Sequence, residues 1–193
     1  MRFIVMNRLH KAFCASFLFL VFQGSAQIIP LAKGTRIFLV RHAEKDTGNN
    51  PALSKAGKER AGDLYRMLQG EQIDKVYFSR YRRTRQTADS LLSYTKADTF
   101  SYKADTSGEG LAESLKLTAT PISGEHILII GHSNTIPAII RKLGVADFEP
   151  NELPDNEYDN LYVITFSQGK PSVKRMKYGK QSRANSSKMD PLQ

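Results

Sequence analysis

The sequence predicts an α/β fold, a three-layer α/β/α sandwich around a mostly parallel central sheet. Short apolar runs rich in β-branched residues alternate with segments of helical periodicity from residue 36 onward. Polar clusters follow the predicted strand ends at Arg41-His42, Ser79-Arg80 and Gly131-His132. The chain has 193 residues, a length that suits one domain with its own core.

Residues 1–26 read as a signal peptide. Arg2, Arg8 and Lys11 form a positive n-region, Ala12 to Phe22 a short apolar h-region, and Gly24-Ser25-Ala26 places small residues before a cut near Ala26. The apolar run is too short for a membrane span, so no stable membrane anchor is expected. The expected location is periplasmic or secreted. The sole cysteine, Cys14, lies inside this segment. The remainder therefore has no internal disulfide and no thiolate metal site.

The domain proper is expected over 27–178. Arg36 to Val40 reads as a buried strand and Asp46 to Pro51 as a polar loop. Ser54 can cap a helix with Ala61, Leu64, Tyr65 and Leu68 on one face, ended by Gly70. Lys75 to Phe78 is a second strand. The next helix carries Thr84, Ala88, Leu91 and Leu92 inward. Residues 98–102 form a third strand and 109–118 another helix. His126 to Ile130 is the most apolar strand, and Ile136, Ile139, Ile140 and Leu143 follow at helical spacing. Leu161 to Phe166 and Ser172 to Met176 are closing strands joined by a Gln168-Gly169 turn. Residues 179–193 are polar and unpatterned and read as a disordered tail.

The formal net charge is +9, which favours anionic partners. Nucleic acid is the weaker choice, because no zinc-finger spacing and no basic stripe with interleaved aromatics occurs. In open α/β sheets, ligands bind outside the carboxyl ends of the strands. The three polar clusters should therefore meet at one sheet edge. Histidines and arginines without Cys, Asp or Glu at ligand spacing make a poor metal site and a good phosphate site. Arginine forks pair with phosphate oxygens, and a neutral imidazole can attack phosphorus. The N-terminus of the helix after Asn134 would add backbone N–H donors. No metal or other cofactor is expected.

Leu39-Val40-Arg41-His42-Ala43-Glu44 resembles the Arg-His-Gly signature of the histidine phosphatases and cofactor-dependent phosphoglycerate mutases. Ser79-Arg80-Tyr81-Arg82-Arg83-Thr84-Arg85-Gln86-Thr87-Ala88 is similar to that family's Ser-Pro-Leu-x-Arg-Ala-x-Gln-Thr-Ala, and Gly131-His132-Ser133-Asn134 to its Gly-His motif. The likeness spans about residues 35–178. It implies a phosphomonoester hydrolase with His42 as nucleophile. Arg41, Arg83 and His132 would hold the phosphoryl group, with Asn134 in support. Arg80, Arg82 and Arg85 read as a solvated basic helix face. The substrate would be a small phosphorylated compound or a phosphoprotein.

The chain departs from the pattern at Ala43, which replaces a glycine, and at Arg80-Tyr81, where Pro-Leu is common. It shows no mutase-type acidic motif between residues 88 and 126. The general acid is thus open between Glu44, near the nucleophile, and Asp105, after the third strand; proximity favours Glu44. The alternatives are a phosphoglycerate mutase-like phosphotransferase and a non-catalytic phospho-ligand binding protein. A serine hydrolase fails because Thr135 stands where G-x-S-x-G needs its last glycine. Specificity should come from loops around 46–53, 103–112 and 147–160.

Overall fold

The computed structural model describes residues 34–118 and 124–182. The proposed signal segment 1–26 and residues 183–193 lie outside that range. Strands and helices alternate as β1 (Arg36–Arg41), α1 (Lys55–Leu68), β2 (Lys75–Ser79), α2 (Arg82–Leu92), β3 (Asp98–Tyr102), α3 (Glu109–Thr118), β4 (His126–Gly131) and α4 (Ile136–Lys142). The hairpin β5 (Asn160–Ser167) and β6 (Lys170–Lys177) closes the domain. The sheet order is β3-β2-β4-β1-β5-β6. The first four positions pair in parallel, whereas β5 and β6 join antiparallel. The sheet is therefore mixed, with its parallel part carrying the predicted clusters.

Side-chain alternation sorts the core into two layers. Ile37, Leu39, Ile127 and Ile129 face α3 and α4, against Leu111, Leu115, Ile136 and Ile140. Phe38, Val40, Leu128 and Ile130 face α1 and α2, against Leu64, Leu68, Ala88 and Leu91. A strand whose every residue is apolar is thus a strand covered on both faces. The burial of β1 and β4, complete beyond their first residues, follows from that.

Local chemistry sets the ends. Ser54 caps α1 by accepting the Gly57 N–H at 3.2 Å. Gly57 itself passes so close to the Glu44 carbonyl that an added Cβ would sit 2.0 Å from its oxygen. The β5–β6 turn places Gln168 at φ 49° and Gly169 at φ 75°. Both central residues are left-handed, as a two-residue hairpin of the I′ kind requires.

Contacts with the domain continue into residues 178–182. Tyr178 is buried. Ser182 donates its N–H to Asp159 at 3.0 Å, and its hydroxyl accepts the Tyr158 N–H at 2.9 Å. Arg60 on α1 donates to the Tyr178 and Lys180 carbonyls at 3.3 and 3.0 Å. Lys180, through its carbonyl, and Ser182 are thus tied to the domain. Among the described residues no helix is long and apolar enough to cross a membrane.

Candidate active site

Strand register builds the site. β1 and β4 pair in parallel with Arg41 opposite Gly131, so the next residues, His42 and His132, emerge side by side. The His42 N–H extends the ladder by donating to the Gly131 carbonyl at 2.9 Å. The two imidazole rings meet edge to face, 5.3 Å between centroids. Phe78 pairs with Ile130, which brings Ser79 to the same edge, its Oγ 2.9 Å from His132 Nε2. Gly131 is needed for this crossing: an added Cβ would lie 2.9 Å from Thr135 Oγ1 and 3.0 Å from Ile136.

Hydrogen bonding decides where the imidazole protons sit. His42 Nδ1 is 2.8 Å from the Ala43 carbonyl, which can only accept, so Nδ1 carries the proton and Nε2 keeps its lone pair. Around His132 a chain of hydroxyls leads to the same kind of answer. Thr84 Oγ1 donates to the Ser79 or Tyr81 carbonyl, leaving Ser79 Oγ to donate to Thr84 and to accept from His132 Nε2–H. His132 Nδ1 then faces Arg83 Nη2 at 3.4 Å as an acceptor. Burial lowers His42 to about 3; the hydrogen bond to the Ala43 carbonyl opposes it, and His132, Arg41 and Arg83 add smaller pulls downward. Burial with Arg83 and Arg41 lowers His132 to about 4. Both rings are therefore neutral at pH 7.

The two arginines are held without being neutralised. Arg41 donates through Nη1 to the carbonyls of Pro154 and Asp155, each at 2.9 Å. Its guanidinium carbon lies 4.3 Å from the centre of the Tyr158 ring. Its one carboxylate neighbour, Asp155, is 3.7 Å away on a side chain 96 % exposed, so water screens that pair. Arg83 lies over Tyr81 at the same 4.3 Å. The Nε atoms of both arginines are buried without a hydrogen-bond partner. Buried orphan donors are unusual, and an anion in the pocket would satisfy them. The pocket is an open cavity of about 380 Å³, and its walls include Arg41, His42, Arg83, His132, Asn134 and Asp105.

Residues 37–104 match the family model of the histidine phosphatase superfamily, branch 1. Over that stretch the chain is similar to the histidine phosphatase superfamily. Solved structures share the fold across almost their whole length. An Escherichia coli protein provisionally assigned as an alpha-ribazole-5'-P phosphatase superposes with a TM-score of 0.56 at 16% identity, covering 75% of this chain and 97% of its own. The protein provisionally assigned as phosphohistidine phosphatase SixA from Nakamurella multipartitia gives 0.55 at 21% identity, covering 76% and 96%. The phosphoserine phosphatase of Entamoeba histolytica in complex with 3-phosphoglyceric acid gives 0.51 at 15% identity, covering 76% and 98%. No curated protein matches the chain.

Within this site the two expected proton donors part company. Glu44 is not in the pocket wall. It turns back to Arg60, taking Nε at 2.9 Å with both oxygens and Nη2 at 2.7 Å. Sequence proximity to His42 therefore misled: the chain bends after Ala43, and α1 claims the carboxylate. Asp105 does line the pocket. It also caps α3, accepting N–H groups from Ser107, Glu109 and Gly110 and the Ser107 hydroxyl. Desolvation works to raise its pKa, but the donors of Ser107, Gly110 and Gly108 together hold it below the usual value.

The expected amide donors ahead of α4 are spent elsewhere. Thr135 and Ile136 direct their N–H groups to the His132 carbonyl at 3.2 and 3.1 Å, and residue 137 is proline. Asn134 is exposed on the pocket wall. Three contributors escaped the sequence reading. Ser79 belongs to a quoted motif but carried no role there, and its hydroxyl orients His132. Tyr158 lies in a loop marked only for specificity. Tyr81 registered only as a departure from Pro-Leu. Nothing in a linear sequence shows an aromatic face turned toward an arginine.

Proposed function

We propose that this chain is a phosphomonoester hydrolase that works through a covalent phosphohistidine at His42. The observation that carries the reading is the His42 imidazole, neutral, with Nδ1–H bonded to Ala43 and the Nε2 lone pair left for attack. Nε2 forms a bond to phosphorus while the ester P–O bond breaks and the leaving oxygen takes the electron pair. Arg41 and Arg83 hold the phosphoryl oxygens, the guanidinium charges being strongest where no carboxylate cancels them, and His132, with Nε2–H on Ser79 and its Nδ1 lone pair toward Arg83, orients the Arg83 fork. Water then attacks phosphorus, the P–N bond breaks, and inorganic phosphate leaves. The open pocket gives water access, which favours hydrolysis over transfer to a second hydroxyl.

Labelled p-nitrophenyl phosphate, quenched rapidly without acid, should leave label on the protein that is acid-labile and alkali-stable. His42→Ala should lose that label and at least about a thousandfold in kcat. Turnover should persist in excess EDTA. Undiminished turnover by His42→Ala would refute the mechanism.

Export remains part of the proposal, supported by the order of charge, apolar run and small residues in 1–26. N-terminal sequencing of protein from its native host should start near Gln27; an intact Met1 in the cytosol would refute it.

A further inference from the structure

The departure at Arg80-Tyr81 leaves a structural trace beside the phosphate pocket. A second cavity of about 280 Å³ is lined by Arg80, Tyr81, Tyr102, Lys103 and Ala104. It shares Tyr81 and Ala104 with the first cavity, so the Tyr81 ring and the start of the β3–α3 loop separate two adjoining spaces. Arg80 is not on the face of α2; it sits in the turn after β2, two residues before the helix begins. Lys103 follows β3 directly. β2 and β3 pair in parallel with Ser79 opposite Tyr102, so the residues after each strand are neighbours at the same edge. Arg80 and Lys103 are thereby brought together by the same register rule that joins His42 to His132.

The chemistry of this second space is one-sided. Its charged walls are both cations, and no carboxylate lines it. Both side chains are exposed, and neither takes part in a described ion pair. The nearest acid in sequence, Asp105, has its oxygens committed to the first turn of α3. Cations left free at the rim of a phosphate pocket attract a second negative group on the same ligand.

We propose that Arg80 and Lys103 form a subsite for an anionic leaving group, so that the preferred substrates are phosphomonoesters bearing a second carboxylate or phosphate on the alcohol side. This rests on the phosphatase reading, deepens it, and can fail separately. Phenylphosphonate and its 3- and 4-carboxy derivatives, which cannot be hydrolysed, test it by calorimetry at low salt. At least one carboxylated isomer should bind about tenfold tighter than the parent, the worth of one charge-assisted hydrogen bond. R80A/K103A should abolish that preference while keeping affinity for the parent. K170A/K174A, which removes two charges at the opposite end of the sheet, should keep the preference. Equal binding of all three phosphonates, or a preference that survives R80A/K103A or disappears equally in K170A/K174A, would overturn the subsite. The phosphatase reading fails instead if p-nitrophenyl phosphate is not turned over at all.

Discussion

At the scale of single residues, the site depends on imidazoles that stay neutral. A free imidazole titrates near pH 6.5, so at pH 5 most copies would be protonated and unable to attack. Burial lowers His42 to about 3 and His132 to about 4. The free enzyme should therefore show no loss of kcat/KM from nucleophile protonation between pH 7 and pH 5. The imidazole NMR resonances of both residues should likewise stay unchanged over that range; a midpoint near 6.5 for His42 would contradict it. The linked stability effect has a definite sign. Below pH 6.5 the unfolded chain binds protons at these histidines that the folded protein refuses. Stability should fall as pH drops from about 6.5 toward 3, while the nucleophile remains competent.

Asp105 raises the complementary question of the leaving group. A carboxylate that caps a helix is held ionised and is a poor proton donor at neutral pH. Esters whose leaving group departs without a proton should be favoured. Asp105→Asn should change p-nitrophenyl phosphate turnover less than about threefold, within the range of a modest hydrogen-bond change. If Asp105 does supply a proton, alkyl-phosphate turnover should fall at least tenfold further in the same variant. Equal effects on both substrates would assign the proton to water.

At the scale of elements, the strands were legible and the tertiary polar contacts were not. Each strand lies within two residues of its expected bounds, because a run such as Ile127 to Ile130 has only one stable setting, between two helical layers. His42, Arg41, Arg83 and His132 follow from strand ends and motif order, and the structure gathers all four on one pocket wall. Glu44 and Asp105 could not be sorted the same way. What separates them is the Arg60 side chain, which on the sequence is one more charged position on an amphipathic helix. In the fold Arg60 is 4% exposed and ties Glu44 to the carbonyls of Tyr178 and Lys180. Thus the loop after β1, the helix α1 and the segment after β6 share one cation. Arg60→Ala would leave Glu44 and two carbonyls without their donor. It should cost roughly 2–4 kcal/mol, read as a lower urea midpoint. A midpoint unchanged within error would show that this link contributes nothing.

At the scale of the whole molecule, every group assigned to chemistry sits at one end of a sheet whose two borders are built differently. The β3 border is five residues long, whereas β6 runs for eight with no strand among the described residues paired beyond it. An eight-residue border with free amides and carbonyls is a template for a strand from another molecule. The composition of β6 counters this. Lys170, Lys174 and Arg175 put three positive charges along it that no ion pair among the described residues offsets, whereas Lys177 is paired with Asp159, and Pro171 removes one ladder donor. A second copy approaching border to border would bring six uncompensated like charges together before its first interchain bond formed. Part of the excess of basic residues over acidic ones thus guards the molecule against growing into a continuous sheet, and that part is separate from the basic groups that face the ligand.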